Sequence, residues 1–311
     1  MKTAILLGGQ GAAMPTLGID LYEHEAAYRA VIDRASAVLG YDLYATVLKD
    51  EAKLQETAYA QPAIFAHEMG IYAVVSEYIP EPVALLGLSL GEYTALTLGG
   101  VFDFTDALRL LQKRGRYMQI ASDAQATTMV AVLGKEQDII LAAIKKMQAD
   151  DVAVYLANHN TRKQIVVGGT VASLKIFTDY VVTQTKVRCV PLSVAGAFHT
   201  PFMGDAALAL RDELHSVPKA KGTIPVYSNT TTQPFGQDIA TTLTTQMTTP
   251  TFFADAFMHL TADTVPERVI EIGADGTLLK FAQQMNTDLQ GISLFDLATV
   301  QAFKEQAHAD S

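Results

Sequence analysis

The chain has 311 residues, 49% of them hydrophobic and 18% charged, with a formal net charge of −10. That is enough apolar material for one large core and a second, smaller one, and the acidic balance argues against general nucleic-acid binding, which needs a basic footprint, while leaving room for a local basic patch. The single cysteine, Cys189, excludes an intrachain disulfide, the apolar start is too short for a signal peptide, and no run of eighteen apolar residues is present, so a cytoplasmic chain with no membrane contact is expected.

Thr3 to Leu7 reads as a short strand followed by Gly8-Gly9-Gln10-Gly11. Phosphate or dinucleotide binding by this loop is disfavoured, because Met14 stands where G-x-G-x-x-G needs its third glycine and no Gly-Lys-Ser/Thr follows. The other use of such a loop is to present a backbone N–H to an oxyanion. Tyr22 to Leu39 has helical spacing and ends at Gly40. Pro62 sits at the first turn of an apolar helix running from Ala63 to Tyr78, which Pro80 and Pro82 terminate.

The apolar run Val83 to Leu86 then enters Gly87-Leu88-Ser89-Leu90-Gly91, and a helix follows from Glu92 to Leu98. Strand, tight turn, serine and helix are the parts of a nucleophile elbow. Glycines let the chain bend sharply, and the helix N-terminus offers N–H groups and a positive dipole end to a developing oxyanion. A Gly-rich strand-to-helix turn without chemistry is the plain alternative. Thr105 to Ile120 is the next helix, with Asp103 or Thr105 as its cap.

The rhythm changes near Ala124. Strands at Thr128 to Leu133, Val152 to Ala157, Gln164 to Val167 and Val187 to Leu192 alternate with helices at Lys135 to Gln148 and Val171 to Val182. That is β-α-β-β-α-β, the ferredoxin-like unit. The larger pattern then resumes with a helix from Pro201 to His215, a strand from Ile224 to Ser228, a helix from Phe252 to Leu260, a strand from Val269 to Ile272 and a helix from Gly276 to Met285. Glu305 to Ser311 reads as a frayed end. The expected fold is α/β: a large α/β-hydrolase-like catalytic domain at 1–123 and 196–311, with a parallel sheet and a nucleophile elbow, and a small ferredoxin-like domain inserted at 124–195.

A serine nucleophile needs a base. His24, His67 and His215 fall on predicted helices, His259 follows one, and His308 lies in the tail, so all five read as surface or core histidines. His159 falls in a predicted loop between Asn158 and Asn160 and stays open. His199 lies in Gly196-Ala197-Phe198-His199-Thr200-Pro201, where the chain re-enters the large domain, and junction loops commonly carry active-site residues. No Asp or Glu stands out as a third member; a backbone carbonyl can fix the same imidazole tautomer without the charge. Lys113-Arg114-Gly115-Arg116 reads on spacing alone as a solvated helical face, and a guanidinium forked onto a substrate carboxylate is the other use. No metal site is expected.

Taken together, Gly9-Gln10-Gly11, Gly87-x-Ser89-Leu90-Gly91-Glu92-Tyr93, Arg114-Gly115, Asn158-x-Asn160, Gly196-Ala197-Phe198-His199 and Gln246 with Pro250 resemble, in order and spacing over nearly the whole chain, the malonyl-CoA:acyl carrier protein transacylase family of fatty acid synthesis. The resemblance implies that Ser89 is acylated by malonyl-CoA with His199 as base, that Gln10 and Leu90 give backbone N–H groups to the oxyanion, and that Arg114 pairs with the malonyl carboxylate. It also implies that Gln246 and Asn160 order the pocket and the histidine loop, that Phe198 narrows it against branched acyl groups, and that Met118 and Leu88 line it. Three positions depart from the family pattern: Leu88 replaces a usual histidine, Ala13 a usual glutamine and Gly8 a usual proline.

The implied function is transfer of malonyl from malonyl-CoA to the phosphopantetheine thiol of acyl carrier protein, a transient partner, with no bound cofactor. The alternatives are a thioesterase or esterase using the same dyad, and a degenerate relative that binds without turnover. Carrier proteins of this pathway are acidic, so docking calls for a local positive surface, for which Lys113, Arg116, Arg162, Lys163 and Arg188 are the candidates.

Overall fold

A computed structural model describes residues 1–10 and 17–309. Its nine strands are β1 (Thr3–Leu7), β2 (Ala84–Gly87), β3 (Thr127–Leu133), β4 (Val154–Thr161), β5 (Gln164–Thr170), β6 (Arg188–Pro191), β7 (Val226–Tyr227), β8 (Arg268–Ile272) and β9 (Gln290–Leu294). They form a five-stranded sheet in the order β7-β2-β1-β8-β9 and a four-stranded sheet in the order β4-β5-β3-β6.

The five-stranded sheet is parallel throughout. Its central strand β1 is buried on both faces, as parallel sheets are when helices cover both sides. Alternating side chains feed opposite cores. Ile5 and Leu7 join the large cluster under the helices Ala26–Leu39, Thr57–Val75 and Phe104–Ala124, while Ala4 and Leu6 join a smaller one under Phe253–Thr264 and Thr277–Met285. The chain winds outward from β1 through β2 to β7, then returns to the middle and winds outward through β8 to β9. Winding reverses between β1 and β8, and the loops at the carboxyl ends of such strands form the natural ligand crevice. Gly8-Gly9-Gln10 leaves β1 there, Gly273 to Asp275 leaves β8, and Ser89 follows the adjacent β2.

All pairings in the four-stranded sheet are antiparallel. Val130 and Val132 of β3 face the helices Gln137–Ala149 and Val171–Gln184, while Met129 and Ala131 face the large cluster. The small sheet thus roofs the carboxyl edge of the large one.

Four local differences from the sequence reading have physical causes. The helix expected from Ala63 begins at Thr57, with Pro62 inside it. Its first turn is anchored from outside: Thr57 N–H donates to Gln119 Oε1 at 3.1 Å, and a Cβ at Gly115 would lie 2.5 Å from the Thr57 carbonyl, so only glycine lets the two helices meet this closely. The expected Tyr22 to Leu39 helix is two, Ile19–His24 and Ala26–Leu39, because Glu25 turns extended, its carboxylate 3.1 Å from Lys304. His159 lies in β4 rather than in a loop, since that strand continues to Thr161 through two register shifts. Finally, β9 and the helix Leu297–Ala309 were not foreseen, and Glu305 to Ala309 is helical because Val300 and Phe303 anchor it in the core; Asp310 and Ser311 lie outside the described residues.

Candidate active site

Ser89 has φ 56°, a left-handed conformation that a residue with a Cβ rarely adopts. The bend holds because the flanking glycines permit contacts nothing larger could make. A Cβ at Gly87 would lie 2.0 Å from the Gly91 backbone, and one at Gly91 would lie 2.3 Å from the Leu7 carbonyl. The Ser89 carbonyl accepts from Gln246 Nε2 at 3.0 Å, which ties the strained residue to a distant helix. Leu90 caps the helix Gly91–Leu98 behind the serine.

His199 also sits at positive φ, 58°, and is buried. Its Nε2 is 2.8 Å from Ser89 Oγ and its Nδ1 is 2.8 Å from the Gln246 carbonyl. A carbonyl only accepts, so Nδ1 carries the proton and Nε2 presents a lone pair to the serine hydroxyl. Burial, and then the Arg114 charge, push the imidazole down to about 4. The ring is therefore a neutral acceptor across the physiological range.

Arg114 is 1% exposed, whereas its neighbours Lys113 and Arg116 face solvent. The solvated-face reading holds for those two and fails for Arg114. Its Nη1 donates to Gln61 Oε1 at 2.7 Å, and its Nη2 donates to Gln246 Oε1 at 3.0 Å and Ser89 Oγ at 3.1 Å. A guanidinium is thereby aimed at Ser89 Oγ by two neutral amides. Gln61 is itself held by Thr57 Oγ1 and Met118 Sδ.

Gln10 shares this network, its Oε1 accepting from Thr57 Oγ1 at 2.7 Å. Gln10, Leu90, Leu88, Met118, Asn160 and Phe198 all line one cavity of about 390 Å³ with Ser89, Arg114 and His199. Pro191 to Val194, Met129 and Val166 close it from the small sheet. Asn160 is buried on β4, and its Oδ1 has no partner among the described residues. Leu88 packs against the smaller core cluster, so the usual histidine is replaced by an apolar wall. Gly11 and Ala13 lie outside the described residues.

Sequence reasoning missed Gln61 and Asn229, and named Glu92 in the serine motif without giving it a role. Glu92 is buried and accepts from Asn229 N–H at 2.6 Å and from the Gln246 side-chain amide. Burial pushes its carboxyl up to about 8, against the pull of these hydrogen bonds and of Arg114. For Gln61, between Ala60 and Ala63, the available signal was a polar residue within an apolar stretch; Asn229 stands in the polar run Ser228 to Gln233 and carries no such signal. None of the other six histidines lines the cavity. His67 is a core residue bonded to Tyr28 and the Gly273 carbonyl, and His159 meets Asp255 and Gln137. Among the described residues no cluster of His, Cys, Asp or Glu forms a metal site, and no helix is long and apolar enough to cross a membrane.

A strained serine at the carboxyl edge of a parallel sheet, a carbonyl-oriented histidine and a buried guanidinium beside that serine are the parts of an acyl-transfer site. The chain belongs to the acyl transferase domain family, whose model matches residues 6–301. It is 31% identical over 309 residues to the malonyl CoA-acyl carrier protein transacylase of Haemophilus influenzae, covering 98% of each chain. It is also similar to the crystal structure of MCAT from Streptococcus pneumoniae, with TM-score 0.92 and 36% identity over 98% of this chain and 100% of that one. A second similar structure holds a type II polyketide synthase acyl carrier protein in complex with its malonyl-transacylase, with TM-score 0.91 and 27% identity over 98% of this chain and all of that one.

Proposed function

We propose that the protein moves malonyl from malonyl-CoA to the phosphopantetheine thiol of an acyl carrier protein, in fatty acid biosynthesis. The observation that carries this reading is Arg114, fully buried, held by neutral partners and 3.1 Å from Ser89 Oγ. A positive charge there suits an acyl group with its own carboxylate and is costly beside a fatty chain.

Ser89 Oγ attacks the thioester carbonyl while His199 Nε2 takes its proton. The Gln10 and Leu90 N–H groups receive the oxyanion. Collapse breaks the C–S bond, and the CoA sulfur leaves with the proton from His199. The carrier-protein thiol then attacks the malonyl-Ser89 ester, giving its proton to His199, which returns it to Ser89 Oγ. Arg114 forks onto the distal carboxylate in both halves, Gln246 and Asn160 hold the histidine loop and pocket, and Phe198, Met118 and Leu88 shape the acyl site. No cofactor is assigned: malonyl-CoA and the holo carrier protein are substrates, and the dyad supplies nucleophile and base.

We read the large unit, 1–123 and 196–311, as hydrolase-like in its elbow, and 124–195 as an inserted ferredoxin-like domain. The element order and the antiparallel strand order β4-β5-β3-β6 support the second reading. A cytoplasmic location accords with this chemistry.

A hydrolase would share Ser89 and His199, so the product decides. Incubation with malonyl-CoA and holo carrier protein is expected to give the malonyl thioester of the carrier; free malonate as the main product would reverse the assignment. Brief exposure to malonyl-CoA alone should leave a malonyl adduct on Ser89 by peptide mass. That adduct, missing in Ser89→Ala, excludes a binding-only relative.

Docking is expected on the small sheet. Leu133 pairs with Gln164 on one side and Arg188 on the other, so Arg188 and the Arg162-Lys163 turn share one end of the sheet, and Gln164 lines the cavity. All three cations are exposed, whereas Lys113 is already paired with Glu213 at 2.6 Å. Reversing Arg162, Lys163 and Arg188 to Glu should raise KM for carrier protein about tenfold at low salt and spare acylation by malonyl-CoA. Added salt should shrink the difference, since exposed charges are screened over about 10 Å at 0.1 M. Unchanged carrier-protein kinetics would move the docking surface elsewhere.

A further inference from the structure

Arg114 has no carboxylate among its direct partners: it donates to Gln61, Gln246 and Ser89, and its guanidinium lies over the Tyr93 ring at 5.5 Å. A buried guanidinium without a counter-charge is expensive. One carboxyl reaches it through a single amide: Gln246 Oε1 accepts from Arg114 Nη2, and Gln246 Nε2 donates to Glu92 Oε2. Glu92 is fully buried, and its other oxygen accepts from Asn229 N–H at 2.6 Å. The elements around it bring few titratable groups. These are Arg114 from Phe104–Ala124, Tyr93 beside it on its own helix, His199 across Gln246, and Glu68 of Thr57–Val75, which meets the same helix at Thr94. His199 is neutral, so Arg114 is the cation in this set. The Ser228 hydroxyl also faces the Glu92 carboxyl, donating to it when it is ionised and accepting its O–H when it is protonated.

We infer that Glu92, when ionised, is the counter-charge of Arg114 in the empty pocket, and that an incoming acyl carboxylate displaces it by driving a solvent proton onto Glu92. The inference rests on the malonyl-transfer reading above. Two carboxylates serving one guanidinium in a dry pocket repel, and the one able to protonate in place gives way. Glu92 acts through Gln246 and touches no substrate, so it is a positioning residue. It keeps the Gln246 oxygen turned toward Arg114 and sets how much positive charge the empty pocket shows.

Burial places the Glu92 carboxyl at about 8, so the transition is measurable there. Stopped-flow mixing of the wild-type enzyme with malonyl-CoA at pH 8, with a pH-indicator dye, should show uptake of up to roughly half a proton per active site during acylation. Acetyl-CoA should give none, and neither should Glu92→Gln with malonyl-CoA. Both comparisons release the same CoA and cancel its contribution. Above pH 8 the wild-type kcat/KM for malonyl-CoA should fall about tenfold per pH unit, as ionised Glu92 competes for Arg114. The acetyl profile and the Glu92→Gln malonyl profile should lack this limb. A purely structural Glu92 would move neither readout. Malonyl-Ser89 forming in the wild type with no more proton uptake than acetyl-CoA gives overturns the inference while leaving the malonyl reading intact, and this comparison needs no variant to fold. Absence of the malonyl adduct overturns the malonyl reading itself.

Discussion

Arg114→Ala is expected to lower kcat/KM for malonyl transfer by about two to three orders of magnitude while leaving acetyl transfer unchanged or raised. The size follows from removing one partner of a buried charge pair, which costs roughly 3–5 kcal/mol because the other charge stays buried and alone. The lone charge in the variant is the malonyl carboxylate, which acetyl lacks. The truncation also frees Gln61 Oε1 and Gln246 Oε1, both acceptors for the guanidinium. Some loss of stability is therefore expected with either acyl group. Arg114→Lys separates the effects. It keeps a charge but cannot fork to two amides while also facing Ser89, so malonyl transfer should recover in part. Kinetics with both thioesters decide the matter. Equal losses for malonyl and acetyl would make Arg114 a structural residue only.

The ease of finding Ser89 and the difficulty of placing Arg114 have one physical origin. An elbow is largely a local requirement: Gly87 must lack a Cβ because the backbone closes on itself within four residues, while Gly91 must lack one because it packs against the Leu7 carbonyl, and the spacing of the two glycines about the serine is visible in sequence. His199 was legible for a similar reason, since glycine, aromatic and proline gather in one short junction. Helical periodicity, by contrast, says which residues share a face but not which face is covered. Arg114 is buried because Gly115 lets the helix Thr57–Val75 cross directly over it, a fact about two distant segments. Gln246 and Glu92 are 154 positions apart, so their hydrogen bond leaves no trace in any local pattern. The same limit applies to the fold. Strands buried on both faces, such as β1 and β2, read as apolar runs, whereas the edge strand β9, Gln-Gly-Ile-Ser-Leu, has neither a run nor a clear alternation. Pro62 misled in the opposite direction. Local rules place proline at a helix start, and tertiary anchoring at Thr57 extended the helix ahead of it.

Stability is expected to be flat between about pH 4.5 and 6.5 and to fall on both sides, because the fold buries two histidines and two glutamates in neutral form. Burial pushes His67 and His199 down to about 4. It pushes Glu92 up to about 8 and Glu68 well above the ordinary carboxyl value. The slope of unfolding free energy with pH follows the difference in bound protons between unfolded and native chains. Near pH 5.5 the unfolded chain holds a proton on each of these two histidines and the native chain one on each glutamate, so the counts match. Just below the ordinary glutamate range the unfolded glutamates take up protons slightly ahead of the native histidines, which are held down to about 4, so the unfolded chain carries a small proton excess and stability falls only slightly as pH falls. Above the ordinary histidine range the unfolded chain holds none and the native chain still two, so stability falls as pH rises toward the Glu92 value. A two-proton difference corresponds to roughly 3 kcal/mol per pH unit, a large share of a typical 5–15 kcal/mol. Glu271, also raised by burial, adds to the alkaline side. Urea unfolding at pH 5.5 and 7.5 tests the sign: the midpoint should be lower at 7.5. Glu68→Gln removes one titrating group while keeping an acceptor for Thr94 Oγ1, so it should flatten the alkaline limb by about half. A midpoint higher at pH 7.5 than at 5.5 would mean that these buried acids are ionised in the native state, leaving only the histidine protons of the unfolded chain to be exchanged.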